Sequence, residues 1–219
     1  MPPLIDKDEH AKDIFKPNNK GLLHCLSTVL LQEIERYNKL LMKMTSSLVL
    51  LSKAIKGLVI MSPELDLMSS ALLKNQVPPN WQAVAYPSLK PLASWVRDLN
   101  ERVEFMRGWL KGGHPPCYWL SGFFFPHGFM TGTLQTYARK HLKPIDQLGY
   151  RFRILKEYLP EKITKAPRDG IYVYGLFIEG AHWSSEWHFL DEQAPGEMTS
   201  AMPAIHFLPR VLPDKEKLQ

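Results

Sequence analysis

The sequence predicts an α+β fold in which a helical part, residues 1–116, precedes a part that combines a helix with strands, residues 117–219. Three observations predict it. Apolar residues recur at alternating spacings of four and three between Leu22 and Leu58, and a second helical stripe runs from Leu89 to Leu110. Beyond His114-Pro115-Pro116 the chain shifts to short aromatic and β-branched runs, one of which alternates with period two.

Leu30, Ile34, Tyr37, Leu41, Met44, Leu48, Leu51, Ile55 and Leu58 form the apolar stripe of one long amphipathic helix, with Glu35 and Lys39 as an i, i+4 pair on its wet side. The stripe lacks charged flanking positions, so it predicts packing inside its own domain rather than an oligomeric coiled coil. Met61-Ser62-Pro63 ends it, because Ser62 before proline is driven out of the α region. Pro63 to about Lys74 predicts a second helix, with Glu64 and Asp66 where the helix dipole favours carboxylates, and Val77-Pro78-Pro79 breaks it. Ser88 is the expected N-cap of a third helix, Leu89 to Leu110, which Gly112-Gly113 terminates. Cys117 to Phe125 is short and aromatic, and Pro126 opens a helical run that ends near Leu142. Tyr150, Phe152 and Ile154 alternating with Arg151 and Arg153, the run Ile171 to Ile178, and Ala204 to Leu208 predict strands of an antiparallel sheet or barrel.

Hydrophobic residues make up 45% of the 219 positions, enough for a real core. No stretch approaches the roughly 18 apolar residues of a bilayer span, and the polar N-terminus lacks the apolar segment of a signal peptide, so a cytoplasmic protein without a membrane partner is expected. Cys25 and Cys117 have no C-x-x-C context and are expected to be free thiols. Neither a G-x-x-x-x-G-K-[ST] loop nor a G-x-G-x-x-G fingerprint occurs, so ATP binding by those routes is not expected, and no catalytic residue or cofactor is assigned. Ser121 between bulky hydrophobes suits a buried strand end better than a nucleophile elbow. His182, Glu186 and His188, or His114 with Cys117, could hold a metal only with ligands the spacing does not supply, so packed or solvated histidines are expected. Gly128 and Gly132 form a G-x-x-x-G step suited to close helix packing.

The net charge is +5, and between Arg139 and Arg168 nine Lys/Arg stand against three Asp/Glu. Within that segment Arg139, Lys140, Lys143, Arg151 and Arg153 are interleaved with Tyr137, Tyr150 and Phe152. Such a pattern fits docking on an acidic protein surface; a solvated face and a single-stranded nucleic-acid platform are weaker readings of the same residues.

Three runs carry a resemblance: Ala54 to Leu65 with its Ile55-Lys56-Gly57-Leu58 and Met61-Ser62-Pro63-Glu64 segments, Ala85-Tyr86-Pro87-Ser88-Leu89-Lys90-Pro91-Leu92, and Trp119-Leu120-Ser121-Gly122-Phe123-Phe124-Phe125-Pro126. The third continues through Gly128-Phe129, Thr131-Gly132 and Leu134 to Lys140, and Asp169-Gly170-Ile171-Tyr172-Val173 follows. Together they resemble the C-terminal domain of dynein heavy chains, the axonemal branch more than the cytoplasmic one. The resemblance marks Trp119, Phe123, Phe124, Pro126, Gly128 and Gly132 as signature core positions. It implies helices followed by a small antiparallel β-barrel lying on the AAA+ ring of a microtubule motor, bracing the ring and regulating minus-end-directed movement. The implied partners are that ring and, indirectly, intermediate chains, light intermediate chains and microtubules, in the cytoplasm, the cytoskeleton and the ciliary or flagellar axoneme. ATPase sites belong elsewhere in such a heavy chain. The family continues past the strand at Ala204 to Leu208 into further strands, so the barrel expected here is incomplete, with a fragment, a truncated gene product and a mispredicted gene as the alternatives. A free-standing adaptor that binds dynein rings is the alternative.

Overall fold

A computed structural model describes residues 2–19, 21–156, 160–184 and 186–213. Its helices are α1 (Cys25–Ile55), α2 (Pro63–Leu73), α3 (Pro79–Gln82), α4 (Leu92–Gly112) and α5 (Pro126–His141). Its strands are β1 (Cys117–Trp119), β2 (Leu148–Ile154), β3 (Ile171–Tyr174), β4 (Phe177–Ile178), β5 (His182–Trp183), β6 (Leu190–Asp191), β7 (Ser200–Ala201) and β8 (Ile205–Val211). The fold is thus α+β, helices first and small sheets after. Two compact units divide the chain: residues 1–12 with 30–113, and residues 13–29 with 114–219.

In the first unit the α1 stripe is buried at Leu30, Ile34, Tyr37, Leu41, Met44 and Leu51, as period 3.6 requires. It does not continue to Leu58: α1 stops at Ile55, the chain turns at Gly57 with φ +72°, and Ile55 and Leu58 are 68% and 71% exposed. The Glu35 carboxylate pairs with Lys7 at 2.7 Å, a contact from the N-terminal segment that replaces the expected Lys39 pair. Ser62 is extended, and its Oγ accepts from the Leu65 amide at 3.3 Å, capping α2. The one-turn α3 was not expected from two prolines, yet Pro79 fits the first helical turn. It buries Trp81, whose indole N–H donates to Ser47 Oγ at 2.8 Å.

The start of α4 corrects the sequence expectation. The helix begins at Leu92 rather than Leu89, because Pro91 keeps Lys90 out of the α region. Ser88 Oγ instead accepts from the Lys90 amide in a local turn. The cap comes from a distant residue: Asn75 accepts the Leu92 amide on its carbonyl at 2.9 Å and the Ala93 amide on Oδ1 at 3.2 Å. Along α4, Trp95 stacks between Trp81 and Tyr86 with centroids 6.2 and 5.9 Å away, and the Arg102 guanidinium lies 3.9 Å over the Tyr86 ring. Gly113, at φ +82°, ends the helix where the glycine pair predicts.

In the second unit β1, β3, β8 and β2 form one sheet in that order. The expectation of a purely antiparallel sheet is corrected: β1 runs parallel to β3, a pairing made accessible by the long connection through α5. The β3–β8 and β8–β2 pairs are antiparallel, and β4–β7 and β5–β6 are separate two-stranded ladders. The predicted run Ile171 to Ile178 divides at Gly175, φ +77°, where an added Cβ would meet Trp119 Cδ1 at 2.3 Å. β8 runs from Ile205 to Val211, through Pro209 and past the predicted end at Leu208. The register explains the tolerance: β3 pairs only with Ile205, His206 and Phe207, so at Pro209 the strand has β2 alone beside it. Phe129 of α5 is fully buried, with Phe123 stacked at 4.2 Å and Tyr118 at 5.0 Å.

Candidate docking site

The five basic candidates occupy two places in the second unit. Arg139 and Lys140 lie in the last turn of α5, where cations complement the helix dipole. Arg139 Nη1 donates to the Leu23 carbonyl at 3.2 Å, and Lys140 Nζ donates to the Arg168 carbonyl at 2.6 Å and to Asp169 Oδ1 at 2.7 Å. His141 Nε2 stands 2.9 Å from the same carboxylate oxygen. Hydrogen bonds from Lys140 first and His141 next hold the Asp169 carboxyl below its ordinary range. Lys143 follows, exposed, just beyond the left-handed Leu142. Arg151 and Arg153 are on β2, one face of an edge strand, opposite Leu208 and His206 of β8. Both are exposed, and Phe152 on the opposite face is 58% exposed as well.

The signature residues surround the aromatic cluster. Trp119 is half-buried, its indole against both Gly122 and Gly175. Phe123 is buried and Phe124 half-buried, and Pro126 sits in the first turn of α5. Gly128 lies under the Phe125 ring, and Gly132 leaves room for Val29, whose Cγ2 would be 2.9 Å from an added Cβ.

Sequence reasoning passed over His24 altogether, and weighed His114 only as a metal ligand. His24 is the N-cap of α1: its carbonyl accepts the Ser27 and Thr28 amides, and its Nδ1 accepts the Leu26 amide at 3.3 Å. The His114 ring centroid is 4.7 Å away. His114 Nδ1 is 3.2 Å from the Tyr118 hydroxyl and Nε2 is 3.4 Å from Ser27 Oγ, while Ser27 itself donates to the Ile14 carbonyl. That order of donors fits a neutral His114 with its proton on Nε2, accepting from Tyr118 and donating to Ser27. Desolvation first, and then the Arg139 charge, lowers His24; desolvation and then His24 lower His114 to about 4. A histidine with a depressed folded pKa leaves stability intact above the ordinary value of 6.5, and stability falls with pH as the unfolded state takes up the proton first. The thermal midpoint is therefore expected to decline from pH 6.5 toward about 4, and a His24→Asn, His114→Gln double variant to flatten that decline. Equal slopes in parent and variant, measured by circular dichroism melts, would reject it. Of the remaining candidates, His182 has Nδ1 3.0 Å from Ser200 Oγ and 3.3 Å from Glu197 Oε2, while Glu186 and His188 are exposed, His188 at φ +55°. Among the described residues no three His, Cys, Asp or Glu gather as a metal site, and no helix is long and apolar enough to cross a membrane. Cys25 and Cys117 are buried free thiols.

These elements define an α+β module with cations at one helix end and along one sheet edge. The protein belongs to the family of dynein heavy chains through their C-terminal domain, whose profile matches residues 1–219. It is 50% identical over 184 residues to dynein axonemal heavy chain 1 of Rattus norvegicus, covering 84% of this sequence and 4% of the relative. It is 39% identical over 229 residues to dynein axonemal heavy chain 6 of Homo sapiens, covering 96% and 6%. Against the dynein-1-beta heavy chain of the flagellar inner arm I1 complex of Chlamydomonas reinhardtii the identity is 47% over 195 residues, covering 89% and 4%. The sequence thus spans only about a twentieth of the length of these relatives.

Proposed function

We propose that this protein is a non-catalytic C-terminal module of an axonemal-type dynein heavy chain that packs on the AAA+ motor ring and regulates microtubule-based, minus-end-directed movement. The observation that carries the reading is the match along the sequence to proteins named as axonemal and flagellar heavy chains. The small sheets are read as parts of an incomplete barrel, supported by β2, which among the described residues is an edge strand with Phe152 and Ile154 at the surface. The ATPase chemistry, the contacts with other dynein subunits and microtubules, and residence in the axoneme belong to the heavy chain as a whole and reach this module only through it.

Arg151 and Arg153 are better probes of docking than Arg139 and Lys140, which also hold internal contacts. In a heavy chain that retains its ring, Arg151→Glu with Arg153→Glu is expected to alter stall force or stepping while ATP affinity stays within about twofold, because charge at an interface rim acts on association rather than on distant phosphate contacts. Single-molecule motility with parallel nucleotide titration checks it. Unchanged mechanics would remove β2 from the interface.

A further inference from the structure

We infer that the cleft between the 114–118 segment, the last turns of α5 and the 166–171 loop is a peptide-binding site, and that its occupant is an acidic protein segment carrying one aromatic anchor. The site lies wholly within the second unit. It deepens the docking reading above, and rests on that reading only for the identity of the protein that supplies the segment.

A chamber of about 240 Å³ is walled by His24, His114, Pro116, Tyr118, Tyr137 and Pro167. Flat rings and prolines line it, together with Thr133 and Thr136. Both threonine hydroxyls donate to carbonyls of their own helix, Phe129 and Gly132, so their protons are already committed. Its volume falls below the roughly 300–1,000 Å³ of sites that enclose drug-sized ligands, which favours a single side chain over a free small molecule. An aromatic side chain meets imidazole and phenol faces there, the packing that anchors interface hot spots.

Around this chamber the charge is one-sided. Lys140 and Arg168 stand at its rim, and an adjoining groove of about 410 Å³ shares His24, Thr136 and Lys140 with it and adds Lys16 and Arg139. Among the described residues two acids answer these four cations: Asp169 is paired with Lys140, and Asp13 is 3.8 Å from Lys16. Arg139 and Arg168 are the surplus charges, so a segment leaving the chamber along the groove is favoured when it is acidic. Nucleic acid fits less well, since the chamber admits one ring and offers no succession of stacking platforms.

The test uses the full 219-residue protein and a synthetic peptide with one tryptophan flanked on each side by two aspartates. Binding is followed by tryptophan fluorescence and by the imidazole NMR signals of His24 and His114. Expected are one-to-one binding that moves both sets of signals, a loss of about 30-fold when the tryptophan is replaced by alanine, and a loss of about tenfold in Arg168→Glu at constant melting temperature. Equal binding of the alanine peptide would reduce the site to a diffuse basic surface and overturn the proposal, as would binding that leaves both histidines unmoved. A single-stranded oligonucleotide that displaces the peptide and binds more tightly would overturn it too. Peptide binding beside unaltered motility of the Arg151→Glu, Arg153→Glu motor would keep this site and reject ring docking through β2; the converse result would reject this site alone.

Discussion

Replacing Asp98 with alanine is expected to cost about 3–5 kcal/mol of unfolding free energy, because it strips a buried ionic cluster of the carboxylate that Arg102 pairs with. The Asp98 side chain is 5% exposed and accepts from Lys90 Nζ and Arg102 Nε, each at 2.6 Å. Burial pushes this carboxyl up, but hydrogen bonds from Lys90 and Arg102 pull harder and hold it below its ordinary range. Arg102 is itself 11% exposed, so the alanine variant leaves a guanidinium in the core beside Tyr86 and Tyr37 without the Asp98 charge to balance it. The native contribution is present above the ordinary Asp value of 3.8 and is lost as pH falls below it. Urea titration decides the matter, and pairing Asp98→Ala with Arg102→Met is expected to recover part of the loss by removing the uncompensated charge. A loss below about 1 kcal/mol would show that solvent reaches the cluster.

Phe129→Ala is expected to cost about 3–5 kcal/mol in the second unit, the range for deleting a fully enclosed aromatic ring. Its ring has no solvent exposure and touches the Phe123 and Tyr118 rings, which cannot both close on the vacated space. Phe125→Ala, four positions earlier and 50% exposed, is expected to cost less than about 1 kcal/mol. Near-equal losses in denaturant titration would mean that the aromatic run packs as one surface patch and not around a core.

The long helices were legible because their period repeats many times. Many turns of stripe in α1 outvote any single misfit, such as the buried Glu33, which pairs with Arg36 at 2.9 Å. Boundaries set by distant partners were not legible. Asn75 caps α4 from well before Leu92, and Lys7 takes Glu35 away from Lys39. The short strands β5, β6 and β7 have two residues each, too few to show alternation. The basic cluster was visible as composition, and the helical run ending near Leu142 and the alternating strand already divided it in two; that the strand lies at a sheet edge was not legible, because strand order depends on pairing with the distant β8. The His24–His114 pair escaped because most of the helical part intervenes between them, and the weak signal that existed, a histidine directly before an apolar helix start, is an unusual cap.

The edge strand β2 has a further consequence for how the protein avoids itself. Its outer row of backbone donors and acceptors could template a neighbouring copy, and Phe152 and Ile154 would reward that stacking. Arg151 and Arg153 oppose it. Two copies joined edge to edge would bring both pairs of guanidinium groups onto one ribbon, and like charges across adjacent strands repel. Charge at this edge therefore disfavours a like-charged twin and favours a partner of opposite charge.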